Sequence, residues 1–117
     1  TPASIESFIQ EKYPQARIME IESEDGMIEV DIIHGNISKD VYFDLQDQWV
    51  YTEWDIRVSS LPALVTKAIA NNAAYVGYYI DDAEFIESPQ GNYYLLELEK
   101  GKSEIKVKVD ASGNILN

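Results

Sequence analysis

The stretch Val41-Tyr42-Phe43-Asp44 returns as Val107-Lys108-Val109-Asp110, and Ile28-Glu29-Val30-Asp31-Ile32 returns at the same spacing of 66 as Tyr94-Leu95-Leu96-Glu97-Leu98. Trp49-Val50 then falls on Ile115-Leu116. Similarity at a fixed spacing marks a duplicated supersecondary unit, and a missed duplication misreads the whole architecture. Upstream the spacing falls to 60, with Pro2-Ala3 on Pro62-Ala63 and Ile5, Phe8 and Ile9 on Val65, Ala68 and Ile69. The difference of six residues predicts an insertion in the second copy, around positions 71–91.

Each copy opens on a helical signal. Leu61, Leu64, Val65, Ala68 and Ile69 lie three and four apart on one face, with Ser59 or Ser60 as the candidate cap. Thr1-Pro2 reads as an N-cap followed by a proline in the first turn, where its missing N–H costs nothing. These signals predict helices over about 2–12 and 61–73. The period then changes to two, in Ile28, Val30, Ile32 and in Val41, Phe43, Leu45, across the turn residues His34-Gly35-Asn36. The second copy repeats this with Tyr94, Leu96, Leu98, the turn Lys100-Gly101-Lys102, and Ile105, Val107, Val109. Less clearly patterned strands are expected near 17–22 and 83–87. Alternation of apolar with charged residues marks an antiparallel sheet covered on one face. The expected fold is therefore α+β: one domain over 1–117, with two tandem α-β-β-β-β repeats, about 1–58 and 59–117, forming one antiparallel sheet with both helices on one face.

Composition bounds the partners. The 117 residues are 45% hydrophobic and 26% charged, without an apolar run long enough for a transmembrane helix, so the chain reads as not membrane-embedded. Twenty-one acids against nine bases give a net charge of −12, which repels nucleic acid and anionic lipid. The imbalance concentrates in the first copy: 13 acids and 4 bases over 1–58, against 8 and 5 over 59–117. Zero cysteines exclude disulfides, a thiol nucleophile and thiolate metal sites. The sequence begins without methionine or an apolar leader, as a mature exported chain or an artificially trimmed one would.

Little in the chain points to catalysis. His34 is the only histidine and reads as an exposed turn residue. Glu20, Glu22, Glu24 and Asp25 before Gly26 form the densest acidic run, but the spacing does not match an EF-hand loop and no metal site is assigned. Asp81-Asp82 reads as linker. There is no nucleophile elbow, phosphate loop or zinc-protease helix, and no cofactor is implied.

Thirteen aromatics are more informative, since tyrosine gives interfaces area with a polar tip. Strand parity sends Phe43 and Tyr94 to the covered face, and Tyr42, Tyr93 and Leu95 to the open one together with Glu29, Asp31, Asp44 and Glu97. In the fourth strand a two-residue turn at Gln46-Asp47 would send Trp49 and Tyr51 outward, and a three-residue bulged turn would send Val50, Thr52 and Trp54 outward. Asp110-Ala111-Ser112-Gly113-Asn114 resembles the bulged type and favours Trp54. The candidate binding set is therefore Tyr42, Trp49 or Trp54, Tyr93, Glu29, Asp31 and Asp44.

Leu61-Pro62-Ala63 opening a helix, the Tyr93–Gly101 strand and turn, and Val107–Leu116 in the form V-x-V-D-x-x-G-x-I-L resemble the PepSY-like, β-lactamase-inhibitor-like family of exported Bacteroides-type proteins. The resemblance covers both copies and implies a periplasmic or secreted location and a fold like that of β-lactamase inhibitor protein, with no catalytic residue carried over. The leading expectation is a non-catalytic binding module of the cell envelope for a protein or peptide partner, with an inhibitory or a purely binding role both compatible. The alternative is a small-molecule or calcium-binding sensory protein.

Overall fold

The computed structural model describes residues 2–117, so the Thr1 cap lies outside the described residues. Helix α1 spans Pro2–Lys12 and is followed by β1 (Arg17–Glu24), β2 (Met27–His34), β3 (Ile37–Asp44) and β4 (Trp49–Ile56). A 3-10 turn at Val58–Ser60 leads to α2 (Ala63–Ala70), a second at Ala73–Tyr75 leads to β5 (Tyr79–Glu87), and β6 (Tyr93–Lys100) and β7 (Ser103–Val109) complete the chain. The seven strands lie in one sheet in chain order. The chain forms two compact units: one runs to Trp54 and takes in Glu87–Gln90, the other comprises Asp55–Ile86 and Gly91–Asn117. No helix among the described residues is long and apolar enough to cross a membrane.

In the first unit Ile5, Ile9 and Tyr13, four residues apart along and just past α1, are buried over Val30, Ile32, Val41 and Phe43, with Phe8 packed at the margin. In the second, Leu61, Val65 and Ile69 repeat the spacing over Ala83, Leu96, Leu98, Val107 and Val109. Each such side chain contributes roughly 1.5–3 kcal/mol of burial. Leu64, expected in this core, is 56% exposed. The helix begins later than its apolar pattern suggested: Pro62 occupies the N-cap without a side-chain cap bond, and Ser59 and Ser60 belong to the 3-10 turn. That turn carries Leu61 into the core from outside the helix.

The duplication appears in the hydrogen-bond register. Ile28 faces Phe43 as Tyr94 faces Val109, and Val30 faces Val41 as Leu96 faces Val107. Both first strands carry an irregularity, at Ile18/Glu20 and Ile80/Asp82, a spacing of 62. The insertion is thus split: two residues enter after the helix, and four enter the β5–β6 connection, where six residues (87–92) separate paired Ile86 and Tyr93 against two (25–26) between Glu24 and Met27. Asp81 and Asp82 are strand residues of β5, not linker.

The turn after β3 is the bulged type in both copies. Asp44 Oδ1 accepts from the Gln46 and Gln48 N–H groups at 2.9 Å each, and Asp110 Oδ1 accepts from Ser112 at 3.0 Å and Asn114 at 2.9 Å. The turns close on left-handed residues, Asp47 at φ 63° and Gly113 at φ 89°. Beyond this point the copies diverge. The first continues into β4, whereas the expected eighth strand is reduced to a bridge between Val109 and Ile115 and a Leu116 N–H bond to the Lys108 carbonyl. A Cβ at Gly113 would lie 2.8 Å from the Leu64 carbonyl oxygen. Gly113→Ala therefore combines a left-handed penalty with a backbone clash and should cost about 2 kcal/mol or more in urea unfolding. An unchanged midpoint would show that α2 yields at no cost.

Candidate interaction surface

The parity that buries Val30, Ile32, Val41 and Phe43 turns Glu29, Asp31, Asp40 and Tyr42 to the other face of the first unit. Register then sets two ladders across its four strands: Glu22, Glu29, Tyr42, Tyr51, and Glu20, Asp31, Asp40, Glu53. The second ladder is four carboxyls abreast, where neighbouring strands are only about 4.8 Å apart and directly opposed like charges destabilise. Oxygen atoms of Glu29, Asp31 and Asp40 lie within 4.8 Å of one another, as do those of Glu22, Glu24 and Glu29.

Asp31 Oδ1 is buried and receives no hydrogen bond. A proton on either neighbouring carboxyl relieves the like-charge repulsion and gives that carboxyl a donor toward Asp31. Accordingly the Glu29 carboxyl is pushed up to about 7, first by its hydrogen bond to Asp31 and then by burial. Asp40 is pushed up to about 7 by burial first and then by its bond to Asp31. Glu22 is raised by the Glu20 charge. Tyr42 stacks on Tyr51 with centroids 4.4 Å apart and planes at 20°, and donates to Glu53 Oε1 at 3.2 Å. Burial, followed by the Glu53 charge, raises its phenol. At the β1–β2 corner a pocket of about 230 Å³ is lined by Glu24, Asp25, Met27, Glu29 and Tyr42.

Of the expected site residues, Tyr42, Glu29 and Asp31 meet on this face. Asp44 is engaged in its turn. Tyr93 belongs to the second unit, where the Lys108 ammonium lies 5.3 Å from its ring centroid. There Glu97 faces Lys106 across the ladder, and Leu95 faces Lys108. The first unit has Asp31 against Asp40 and Glu29 against Tyr42 at the corresponding positions.

The tryptophans require correction. A register shift between Tyr42 and Phe43 places Trp49 opposite Phe43 and Thr52 opposite Val41, so both ends of β4 serve the covered face. The Trp49 ring packs at 5.4 Å on Phe8, and its Nε1–H donates to the fully buried Thr52 Oγ1 at 2.9 Å. Trp54, of the same parity as Thr52, lies under the Lys39 ammonium at 4.1 Å. Either simple register would have exposed one tryptophan; the bulge exposes neither on the open face, where Tyr51 stands as the two-residue turn would place it, while Thr52, outward in the bulged-turn reading, is buried.

His34 is likewise no free turn residue. It ends β2, its Nδ1 lies 3.0 Å from Lys39 Nζ, and its ring meets Tyr13 at 5.4 Å. Lys39 is 7% exposed, and burial lowers its pKa. The Tyr13 hydroxyl donates to Glu87 Oε1 at 2.6 Å. Sequence reading missed this polar knot, although Lys39 has the inward parity of Val41 and Phe43.

The carboxyl ladder has a pH signature. Glu29 and Asp40 bind protons more tightly folded than unfolded, so their contribution is complete below the unfolded values of about 4 and is lost as pH rises through about 7. The melting temperature should rise as pH falls from about 8 to about 5.5, and added salt should raise it more at the higher pH. A flat profile over that interval would show the carboxyls already compensated.

The model of the family described as "Putative beta-lactamase-inhibitor-like, PepSY-like" matches residues 26–117. The fold is similar to the crystal structure of a BLIP-like protein from Bacteroides fragilis, with TM-score 0.83 and 22% identity over 97% of this chain and 82% of that one. A DUF2874 family protein from Bacteroides uniformis aligns with TM-score 0.81 and 20% identity over 100% and 87% of the two chains. A structure from Bacteroides eggerthii, described among putative periplasmic proteins, aligns with TM-score 0.77 and 17% identity over 100% and 86%. No curated protein matches the sequence. With the family model covering residues 26–117, well over half of the chain, the chain belongs to the PepSY-like, β-lactamase-inhibitor-like family.

Proposed function

We propose that the protein is a non-catalytic binding module of the cell envelope, exported to the periplasm or beyond, that holds a protein or peptide on the open sheet face of its first unit. The observation that carries this reading is the uncompensated ladder Glu20, Asp31, Asp40, Glu53 beside the stacked Tyr42 and Tyr51. Such a face costs folding stability, and a partner recovers that cost through aromatic contact area and electrostatic complementarity. The family's inhibitor-like character and the periplasmic description of one structural neighbour support the same reading. Inhibition of a β-lactamase does not follow, because function resides in sites grafted onto folds.

A divalent cation is the second reading, since two carboxylate trios converge within 4.8 Å and offer hard oxygen ligands of the kind calcium takes. Millimolar calcium raising the melting temperature by several degrees would favour it.

The test is capture from an envelope extract on immobilised wild type and on Tyr42→Ala and Tyr51→Ala variants. These outward rings should be removable with the fold retained, and their loss should weaken the retained partner by on the order of 2 kcal/mol. Equal retention by the variants would remove the open face from the binding surface.

A further inference from the structure

The pocket at the β1–β2 corner combines two kinds of lining. Glu24, Asp25 and Glu29 bring negative charge, while Met27 and the Tyr42 ring bring apolar surface. A metal ion would want oxygen ligands on all sides, which a thioether and a ring edge do not supply. A long cationic side chain wants both: apolar wall for its methylene stem and carboxylates for its head. The volume of about 230 Å³ equals that of about seven or eight waters at liquid density, room enough for the seven heavy atoms of an arginine side chain.

The second copy supplies an independent indication. At the spacing of 66, Met27, Glu29 and Tyr42 correspond to Tyr93, Leu95 and Lys108. In that unit the Lys108 ammonium lies over the Tyr93 ring. The second copy thus sets a cation of its own on an aromatic ring at the place where the first has an acid-lined pocket. Among the described residues no basic side chain lines the first copy's pocket. Arg17, on β1 opposite Ile33, stands at the far end of that strand, and Lys12 and Lys39 lie over Trp49 and Trp54 on the covered face.

Resting on the reading of this face as a protein-binding surface, we propose that the pocket of Glu24, Asp25, Met27, Glu29 and Tyr42 is a socket for an arginine side chain, so that the module selects partners through a basic segment. A guanidinium suits it better than an ammonium. Its planar fork can bond two carboxylates while its face lies on the Tyr42 ring.

The test uses the full chain, labelled with nitrogen-15, titrated with an acetylated hexa-arginine peptide, with a hexa-glutamine peptide and with calcium chloride. Amide shifts centred on residues 24–29 and 42 under the arginine peptide, absent with the glutamine peptide, are the expected result. Glu29→Leu, which copies the second unit, and the milder Glu29→Gln should weaken that binding by about tenfold, whereas Glu104→Gln on the other unit should change it by less than about twofold. Tyr42→Lys, which gives the first unit its own cation, should abolish it. Equal weakening by the Glu29 and Glu104 variants would show attraction by overall charge and overturn the socket. So would calcium producing the same local shifts while the arginine peptide produces none. A captured partner sensitive to Tyr51→Ala but indifferent to Glu29→Leu would overturn the arginine socket and leave the binding module standing; indifference to Tyr51→Ala would remove the module reading itself.

Discussion

Val30 faces Val41 across the β2–β3 ladder, and both are closed from water beneath Ile5 and Ile9. That buried pair fixes which side of the first unit is dry. Because side chains alternate strictly, a one-residue slip would exchange the faces and bring Asp31 and Asp40 under α1. Burying an unpaired carboxylate costs several kcal/mol, so the register is held by the penalty for the alternative as firmly as by apolar burial. The register that closes the core is therefore the one that keeps Asp31 and Asp40 on the open face.

Much of this was legible in the sequence because period and duplication reported the same elements independently. Val41-Tyr42-Phe43-Asp44 and Val107-Lys108-Val109-Asp110 were readable as strands; that both end in the same aspartate-anchored turn is visible only in the hydrogen bonds, since the first copy's residues suit a two- or a three-residue turn. Parity also placed Tyr42, Glu29 and Asp31 together. It failed where a bulge interrupts it: the shift beside Phe43 turns Trp49 and Trp54 to one face, and no glycine in β4 announces it. Similarly, the insertion after α2 could be counted but not apportioned, because only the pairing of Ile86 with Tyr93 shows where the extra residues leave the ladder. Leu64 illustrates a third limit. Its spacing suits an amphipathic face, but Pro62 starts the helix late and the 3-10 turn delivers Leu61 in its stead.

The two copies also separate what the fold needs from what the first unit has added. Lys39, buried beside His34 with its ammonium over the Tyr13 and Trp54 rings, corresponds to Ile105, so an apolar residue satisfies the same position in the second unit. Asp40 corresponds to Lys106, which faces Glu97 across the ladder and balances it. The sheet accepts a lysine there, and the opposed pair that results is the ordinary stabilising arrangement. Four carboxyls abreast in the first unit are thus not imposed by the backbone.

Such a ladder makes folding and recognition draw on the same charges. With the Glu29 and Asp40 carboxyls raised, a proton relieves the repulsion among the three carboxyls. A cationic side chain supplies the same relief by opposite charge and favours the ionised carboxyls. Protons and a basic partner are then competing ligands for one face, and linkage requires that each weaken the binding of the other. The protonated face is the more stable alone, and the ionised face is the one prepared for a cation.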